Sequence, residues 1–208
     1  MGKAQIIQQI EQQKLVAVIR GNTVEEATAI IRGAVQGGIE VIELTYTTPF
    51  VEDVFKALRD EKALIGAGTV LDSETARHAI LNGAKFIVSP SFSEEIAKIC
   101  NRYTVPYFPG CMTIKEMVTA LEAGCEVLKL FPADHFKPSF IKSVKGPLPQ
   151  VKIMPTGGIN ADNMAQWLNS GAVAVGIGSD LTRAYQAGGI EAVAEAAKAY
   201  HDKLTSEV

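Results

Sequence analysis

Two charged residues stand inside apolar, strand-like stretches and are the first candidates for chemistry. Lys129 lies in EVLKLF on the same period-2 face as Val127 and Phe131, and Glu43 shares a strand face with Val41. Burial favours a neutral amine, which can attack a carbonyl, and a shielded carboxylate can serve as a general acid and base. The open alternative is structural, with Lys129 paired with Glu43 or extended to a rim and Glu43 as its salt-bridge partner.

A second lysine, Lys152, lies in the equally apolar run VKIM. It precedes Thr156 by four residues, which at roughly 3.3 Å per strand residue places it about 13 Å further down the strand. We therefore prefer Lys129 as the candidate nucleophile.

The predicted elements that carry these residues alternate regularly: a short β-branched apolar run is followed by a stretch of helical period. Examples of the helical stretches are VEEATAIIRGAVQ and SEEIAKIC, and several begin with a residue suited to N-capping. The opening MGKAQIIQQIEQQK predicts a short amphipathic helix. The predicted strands lie at 15–19, 39–44, 63–66, 85–88, 105–108, 126–131, 151–154 and 172–177.

Eight strand–helix units in 208 residues fit either a (β/α)8 barrel or an open doubly wound sheet. A dinucleotide-binding sheet would carry a glycine-rich turn after its first strand, but VIRGNTVEEA contains one glycine. Glycines cluster in GAGTV, TGGIN and GIGSD, and the last two follow the seventh and eighth strands, where many barrels bind phosphate. We predict an α/β fold of the (β/α)8 TIM-barrel type, with a short N-terminal helix and one domain over residues 1–208.

In such a barrel, the polar residues at the carboxyl ends of the strands surround one mouth, where active sites lie. Ser89 and Ser179 are interpreted as a wall hydroxyl and a phosphate ligand, with turn or capping roles as the alternative. Trp167 is interpreted as a helix residue packed on the core. The candidates at the mouth are Arg20, Glu43, Thr45, Thr47, Thr69, Ser89, Lys129, Thr156 and Ser179.

The composition argues against several other classes of protein. The net charge is -3 with scattered basic residues, which is unlike a nucleic-acid-binding surface, and no apolar run reaches the roughly 18 residues of a membrane span. Three cysteines without C-x-x-C spacing predict a cytoplasmic location without disulfides or a zinc site. The histidines fall in helices or a loop, so we expect neither a metal centre nor a Ser-His-Asp site. These residues are Cys100, Cys111, Cys125, His78, His135 and His201.

Taken in order, the motifs around these candidates resemble the family of keto-hydroxyglutarate (KHG) and keto-deoxy-phosphogluconate (KDPG) aldolases, over about residues 15 to 185. TGGI alone is shared by many phosphate-binding barrels. A strand-six lysine before an aromatic–proline pair, together with the strand-two glutamate, is specific to this family. The motifs are IELT with Glu43, GAGTV, SP at 89–90, PG at 109–110, KLFPAD at 129–134, PTGGI at 155–159 and GIGS at 176–179.

The resemblance implies a homotrimeric class I aldolase without a cofactor. Its substrate would be 2-dehydro-3-deoxy-6-phosphogluconate, cleaved to pyruvate and glyceraldehyde 3-phosphate, often with 4-hydroxy-2-oxoglutarate as a second substrate. Lys129 would form the Schiff base and Glu43 would move the protons. The other implied contacts are Thr69 for the pyruvate carboxylate, Pro90 and Phe131 as walls, and Gly157, Gly158, Gly178 and Ser179 for the phosphate.

Two positions bear on which substrate is recognised. Aldolases for the galactonate epimer resemble the chain over the same motifs but have an apolar residue before the paired glycines, so the Thr156 hydroxyl favours the gluconate. Many members carry an arginine four residues after the glutamate, where this chain has Thr47. We expect Arg20 to supply that charge, with a structural ion pair of Arg20 as the alternative. A non-catalytic phosphate-binding barrel is a further alternative, but it would need neither Lys129 nor Glu43.

Overall fold

The computed structural model describes residues 1–208 and arranges eight parallel strands as a nearly closed barrel. The strands are hydrogen-bonded in the order β7-β6-β5-β4-β3-β2-β1-β8, and a single bridge between Thr156 and Gly176 brings β7 against β8. The predicted (β/α)8 barrel is confirmed. Its strands are β1 Leu15–Ile19, β2 Val41–Thr45, β3 Leu64–Gly68, β4 Ile87–Ser89, β5 Tyr107–Cys111, β6 Val127–Leu130, β7 Lys152–Pro155 and β8 Val175–Ile177.

Helices follow the strands, and several begin where the sequence offers a capping side chain. Thr23, Asp72, Ser93 and Thr113 each accept a hydrogen bond from a backbone N–H in the first turn of the helix that follows. The predicted N-terminal helix is present. The helices are α1 Lys3–Gln13, α2 Val24–Gln36, α3 Val51–Ala57, α4 Ser73–Leu81, α5 Glu94–Tyr103, α6 Ile114–Glu122, α7 Ser139–Lys145, α8 Met164–Asn169 and α9 Ser179–Glu207, which breaks at Gly188 and Gly189.

The inward-facing residues at the N-terminal end of the strands form an apolar plug, called here the lower core. Alternate strand residues face opposite sides of the sheet, so one set fills the barrel while the other packs under the helices. Helix α1 closes this end with Ile6, Ile7 and Ile10. The strand and preceding-turn residues of the lower core are Val16, Val41, Leu64, Phe86, Phe108, Val127, Met154 and Ala174.

Lys152 also belongs to this lower end. Its Nζ lies 2.5 Å from Oε1 of Glu11 in α1. The lysine that competed with Lys129 thus lies below the mouth, as its spacing predicts, and pairs with a helix outside the barrel.

Strand β1 has its predicted bounds, five strands differ from theirs by one or two residues at an end, and β5 and β8 differ by three. The pattern predicts a strand at 105–108, but β5 continues through Pro109 and Gly110 to Cys111. The fixed φ of proline suits an extended chain. Only glycine fits at position 110, because a Cβ there would overlap the carbonyl of Pro90. Strand β8 is shorter than 172–177 because its ladder with β1 begins where Leu15 faces Val175.

Candidate active site

Lys129 and Glu43 form a buried pair inside the mouth of the barrel. The Lys129 Nζ lies 3.1 Å from Glu43 Oε1, and the two side chains are 6% and 1% exposed. Both occupy the inward-facing position that follows a lower-core valine on their strand, Val127 on β6 and Val41 on β2. The structure therefore brings the two predicted catalytic residues together, in the ion pair that the structural alternative also foresees.

The second carboxylate oxygen of Glu43 distinguishes this pair from a fully satisfied salt bridge. Glu43 Oε2 is buried and has no hydrogen-bond partner. A buried carboxylate oxygen without a partner costs free energy. Gly68 of β3 lies beside this carboxylate, and any Cβ at Gly68 would overlap Oε1 and Cγ of Glu43. This glycine leaves the space in which the carboxylate sits, and the free oxygen can accept a proton from a bound molecule.

Phe131 lies beside the lysine, and Pro90 lies against the neighbouring strand β5. The Lys129 Nζ lies 5.0 Å from the ring centroid of Phe131, which stabilises the ammonium through the face of the ring. Pro90 follows β4, and its carbonyl lies against Gly110, the β5 residue opposite Lys129 in the strand register. Phe131 and Pro90 are both half-buried, as expected of walls beside a reacting group.

Thr156 is a further buried polar residue at the mouth. It is 6% exposed, and its Oγ1 has no partner. The hydroxyl fits because Gly176 on β8 has no side chain, since a Cβ there would overlap Oγ1. Thr156 thus presents a hydroxyl without a partner, at the bridge between β7 and β8.

The predicted phosphate contacts lie on the two turns next to Thr156. Gly157 and Gly158 have φ values of 99° and 72°, which are readily adopted only by glycine. Gly178 precedes α9, and Ser179 is its first residue and exposed. The first amides of a helix lack intrahelical partners and favour an anion.

Arg20 and Thr47 both lie at the rim and are exposed. The β1–β2 register sets Val18 opposite Glu43. Arg20 is two residues further along β1, so it belongs to the inward-facing positions and lies level with Thr45, nearer the rim than Glu43. Thr45 and Thr47 are joined through their Oγ1 atoms at 3.0 Å. Arg20 forms no ion pair and no side-chain hydrogen bond in the structure, and its contact with a carboxylate stays a prediction.

Thr69 carries a feature that its sequence context gave no reason to expect. This β-branched residue directly after β3 has φ of 58°, in the left-handed region. That conformation is strained for a threonine. It lies beside Gly68 and therefore close to Glu43, in agreement with its predicted place at the mouth.

Ser89 does not face the mouth, contrary to its interpretation as a wall hydroxyl. The inward residues at this end of the chain are Phe86 and Val88, so Ser89 points outward. Its Oγ donates to the carbonyl of Ser91 and lies 2.6 Å from the hydroxyl of Tyr107. Sequence analysis missed Tyr107, because nothing in VPYFPG marks the tyrosine as different from a core residue.

The remaining candidates lie away from the mouth. Trp167 is 4% exposed and packs in the main core, as predicted. The His78 ring bonds to Tyr46 and Asn82, and His135 lies in a short 3₁₀ helix, Ala133–His135. No three His, Cys, Asp or Glu side chains come together to form a metal site. No helix is both long and apolar enough to cross a membrane.

A lysine–glutamate pair buried at the mouth of a barrel of eight parallel strands is the arrangement expected of a (β/α)8-barrel enzyme. The chain belongs to the family of KDPG and KHG aldolases, whose family model matches residues 6–196. It is therefore a carbon–carbon lyase.

Individual relatives cover most of the chain. The 2-dehydro-3-deoxy-6-phosphogalactonate aldolase of Escherichia coli (strain K12) is 38% identical over 190 residues, 89% of this chain and 92% of the relative. The 2-dehydro-3-deoxy-phosphogluconate aldolase of Treponema pallidum (strain Nichols) is 35% identical, over 78% of this chain and 79% of the relative. The crystal structure of KDPG aldolase from Legionella pneumophila, with pyruvate captured as a covalent carbinolamine, has a TM-score of 0.79 at 28% identity and covers 90% of this chain and 93% of that chain.

Proposed function

We propose that the protein is a class I aldolase that forms a Schiff base between Lys129 and a 2-keto acid. The observation that carries the proposal is the buried pair itself, with Lys129 Nζ at 3.1 Å from one Glu43 oxygen while the other oxygen has no partner. An ammonium so close to a carboxylate can transfer a proton to it, which leaves the neutral amine that attacks a ketone. A fully satisfied ion pair would not leave a buried carboxylate oxygen without a hydrogen-bond partner.

The reaction follows from these two groups. The Lys129 amine adds to the C2 carbonyl, and Glu43 gives the proton it took from Lys129 to the carbinolamine hydroxyl, so that water leaves and an iminium and the Glu43 carboxylate remain. As Glu43 removes the proton of the C4 hydroxyl, the C3–C4 bond breaks, its electrons flow into the iminium to form an enamine, and an aldehyde leaves. Glu43 then returns a proton to C3, and hydrolysis of the new iminium releases pyruvate and restores Lys129.

The substrate we propose has a carboxylate at one end and a phosphate at the other. Arg20, Thr47 and Thr69 lie around the rim of β1, β2 and β3 and are proposed to bind the carboxylate. The glycine turn at 157–158 and the start of α9 at Gly178 and Ser179 are proposed to bind the phosphate. Phe131 and Pro90 flank the reacting carbons between the two anion sites.

The preferred substrate is 2-dehydro-3-deoxy-6-phosphogluconate, with 4-hydroxy-2-oxoglutarate as a second substrate cleaved to pyruvate and glyoxylate. The partnerless hydroxyl of Thr156 favours the gluconate, because it can bond to a substrate hydroxyl of one configuration. The galactonate epimer is the second candidate. It is favoured by the Escherichia coli galactonate aldolase, at 38% identity over 89% of this chain.

We further propose a single-domain homotrimer that works in the cytoplasm, in the Entner–Doudoroff type of carbohydrate metabolism. The trimer rests on the family resemblance and on large apolar side chains at the surface, among them Phe50 and Leu71 at 71% and 65% exposure. A reducing compartment agrees with three buried, unpaired cysteines, whose thiols have their pKa values raised to about 12 by burial.

The test is reductive trapping with pyruvate and borohydride, followed by peptide mapping. We expect a reduced pyruvyl adduct on Lys129, no adduct and no cleavage activity in Lys129→Met, and both retained in Lys152→Met, the matched control in β7. An adduct on Lys152, or no adduct at all, would overturn the proposal. Since the iminium supplies the electron sink, exhaustive treatment with a chelator should leave the cleavage rate unchanged, and a loss restored by a divalent ion would contradict this mechanism.

A further inference from the structure

Tyr107, at the start of β5, is a buried tyrosine whose hydroxyl lies among the residues of the loop 89–93. It is 3% exposed. Its Oη lies 2.6 Å from Ser89 Oγ, accepts a hydrogen bond from the Ser93 backbone N–H at 3.1 Å, and lies 3.1 Å from the carbonyl oxygen of Ser91. One hydroxyl therefore joins both ends and the middle of the loop between β4 and α5.

The aromatic ring of Tyr107 supports the same loop from a second direction. The ring of Phe92 stacks on it, with 6.5 Å between centroids and planes 29° apart. Burial raises the pKa of Tyr107 well above its ordinary value, so the hydroxyl keeps its proton and remains a donor. Ser93 also caps the N-terminus of α5, because its side chain accepts a hydrogen bond from the Ile96 N–H. The loop is thereby held at its entry, its centre and its exit.

This loop carries Pro90, which lies against the β5 neighbour of Lys129. A Cβ on Gly110 would overlap the carbonyl carbon and oxygen of Pro90, so the two backbones touch. Gly110 lies opposite Lys129 in the β5–β6 register. The position of the Pro90 wall relative to Lys129 is therefore limited on one side by the backbone of Gly110 and on the other by the hydroxyl of Tyr107.

We propose that Tyr107 is a positioning residue for the aldolase reaction, in which its hydroxyl holds the loop 89–93 so that Pro90 forms the wall beside Lys129. Tyr107 faces the outer core and does not line the mouth, so it acts through the loop and not on the substrate. The inference rests on the proposed function of Lys129, because it assigns the loop a part in binding the keto acid.

The test is Tyr107→Phe, which keeps the ring and removes the hydroxyl. With borohydride trapping as the readout, we expect the pyruvate concentration at half-maximal adduct formation to rise about threefold to tenfold, as for a lost hydrogen bond. The adduct formed at saturating pyruvate should still be on Lys129. The matched control is Tyr200→Phe, which also removes a buried, hydrogen-bonded hydroxyl, here one that donates to Asp180. It should leave the half-saturating pyruvate concentration unchanged, whereas an equal shift in both variants would reduce Tyr107 to a structural residue.

Two further variants test whether the hydroxyl acts through the loop. Gly110→Ala should displace Pro90 from the other side and shift pyruvate binding in the same direction. Tyr107→Phe added to Pro90→Ala should have little further effect, because residues acting in one unit are not additive. Full additivity of the two changes would overturn the inference.

The wild-type protein separates this inference from the proposed function. If the wild type forms no adduct on Lys129, the proposed function fails. If it forms the adduct, and Tyr107→Phe has the same half-saturating pyruvate concentration as the wild type, only the role of Tyr107 fails.

Discussion

The lower core and the mouth of the barrel are consecutive layers of the same inward-facing strand positions, built from opposite residue types. Along β6 the inward residue changes from Val127 to Lys129, and along β2 from Val41 to Glu43. The lower core is apolar throughout, whereas the mouth combines buried polar groups with glycines that leave room beside them. A step of two residues along a strand thus leads from an apolar packing position to a buried charged position at the mouth.

The two layers contribute to different properties. Apolar burial stabilises at roughly 25 cal/mol per Å², which the lower core and α1 supply. A buried ion pair contributes little to net stability, because desolvation offsets the attraction. Glu43 Oε2 and Thr156 Oγ1, left without partners, even disfavour the folded state. The mouth is therefore organised for a ligand, and the lower core for the stability that this organisation requires.

The largest expected effect comes from breaking the lower core. Phe108 is fully buried and packs on Phe86, with ring centroids 5.5 Å apart. Phe108→Ala should lower the free energy of unfolding by about 3 to 5 kcal/mol through a cavity and lost contacts. Folded protein at low temperature should still form the pyruvate adduct on Lys129. Denaturant unfolding and trapping measure the two effects, with the exposed Phe50→Ala as control, and loss of trapping in folded Phe108→Ala would mean that the layers are not separable.

A second, smaller effect is expected from removing the proton chemistry at the mouth. Glu43→Gln keeps the shape of the side chain but cannot accept a proton, so steady-state turnover should fall by about 10²-fold. Glu40→Gln, just before β2, serves as the matched control and should have near-normal turnover. If Glu43→Gln also turns over normally, Glu43 is only a structural partner of Lys129.

Gly68 offers a way to disturb Glu43 without changing its chemistry. Because a Cβ at this position overlaps the Glu43 carboxylate, Gly68→Ala should displace it. Turnover should fall, by less than in Glu43→Gln, with the circular dichroism of the folded protein unchanged. Wild-type kinetics in Gly68→Ala would show that the carboxylate can move without consequence.

Much of this architecture could be predicted because barrel layers follow the two-residue period of the strands. The strand-two glutamate and strand-six lysine are polar exceptions in apolar runs, so their types alone marked them. Ser89 could not be oriented in the same way, because it follows three consecutive apolar residues, Phe86 to Val88, which give no clear inward face. In the structure the Ser89 hydroxyl faces Tyr107 and not the mouth.

Other features depend on contacts that no local pattern contains. The Lys129–Glu43 bond joins residues 86 positions apart. The space at Gly68, the overlap of Gly110 with Pro90 and the left-handed backbone of Thr69 arise only once neighbouring strands are in register. The residue types thus marked the candidates for chemistry, whereas the glycines that leave room for them are recognised only in the structure.

The next effect concerns the charge at the rim. Arg20 is exposed and has no protein partner, so its guanidinium is available to bind both oxygens of a carboxylate. Arg20→Ala should raise KM for the keto acid by about tenfold, as for a lost bond to a charged group. Arg20→Lys should be less impaired, and thermal stability should be unchanged because no ion pair is lost.

The double variant Arg20→Ala with Thr47→Arg sharpens this test. Thr47 lies on the neighbouring strand end, where its Oγ1 bonds only to Thr45. An arginine introduced there should restore part of the pyruvate affinity measured by trapping. If the folded double variant binds no better than Arg20→Ala alone, the charge does not act across these two strands.

The smallest expected effect is at Thr156. Its hydroxyl is buried without a partner, so Thr156→Val should leave the free energy of unfolding unchanged or slightly increased, since a buried polar group without a bond is unfavourable. In the complex with substrate, the same hydroxyl is expected to bond to a sugar hydroxyl, and its loss should weaken gluconate cleavage relative to the galactonate epimer by about 0.5 to 1.5 kcal/mol. The measurement is the ratio of kcat/KM for the two epimers, with Thr45→Val as a control at a buried threonine whose hydroxyl already has a partner in Thr47. An unchanged ratio in Thr156→Val would show that this threonine does not distinguish the epimers, and the 38% identity to a galactonate aldolase would then be the better guide to the substrate.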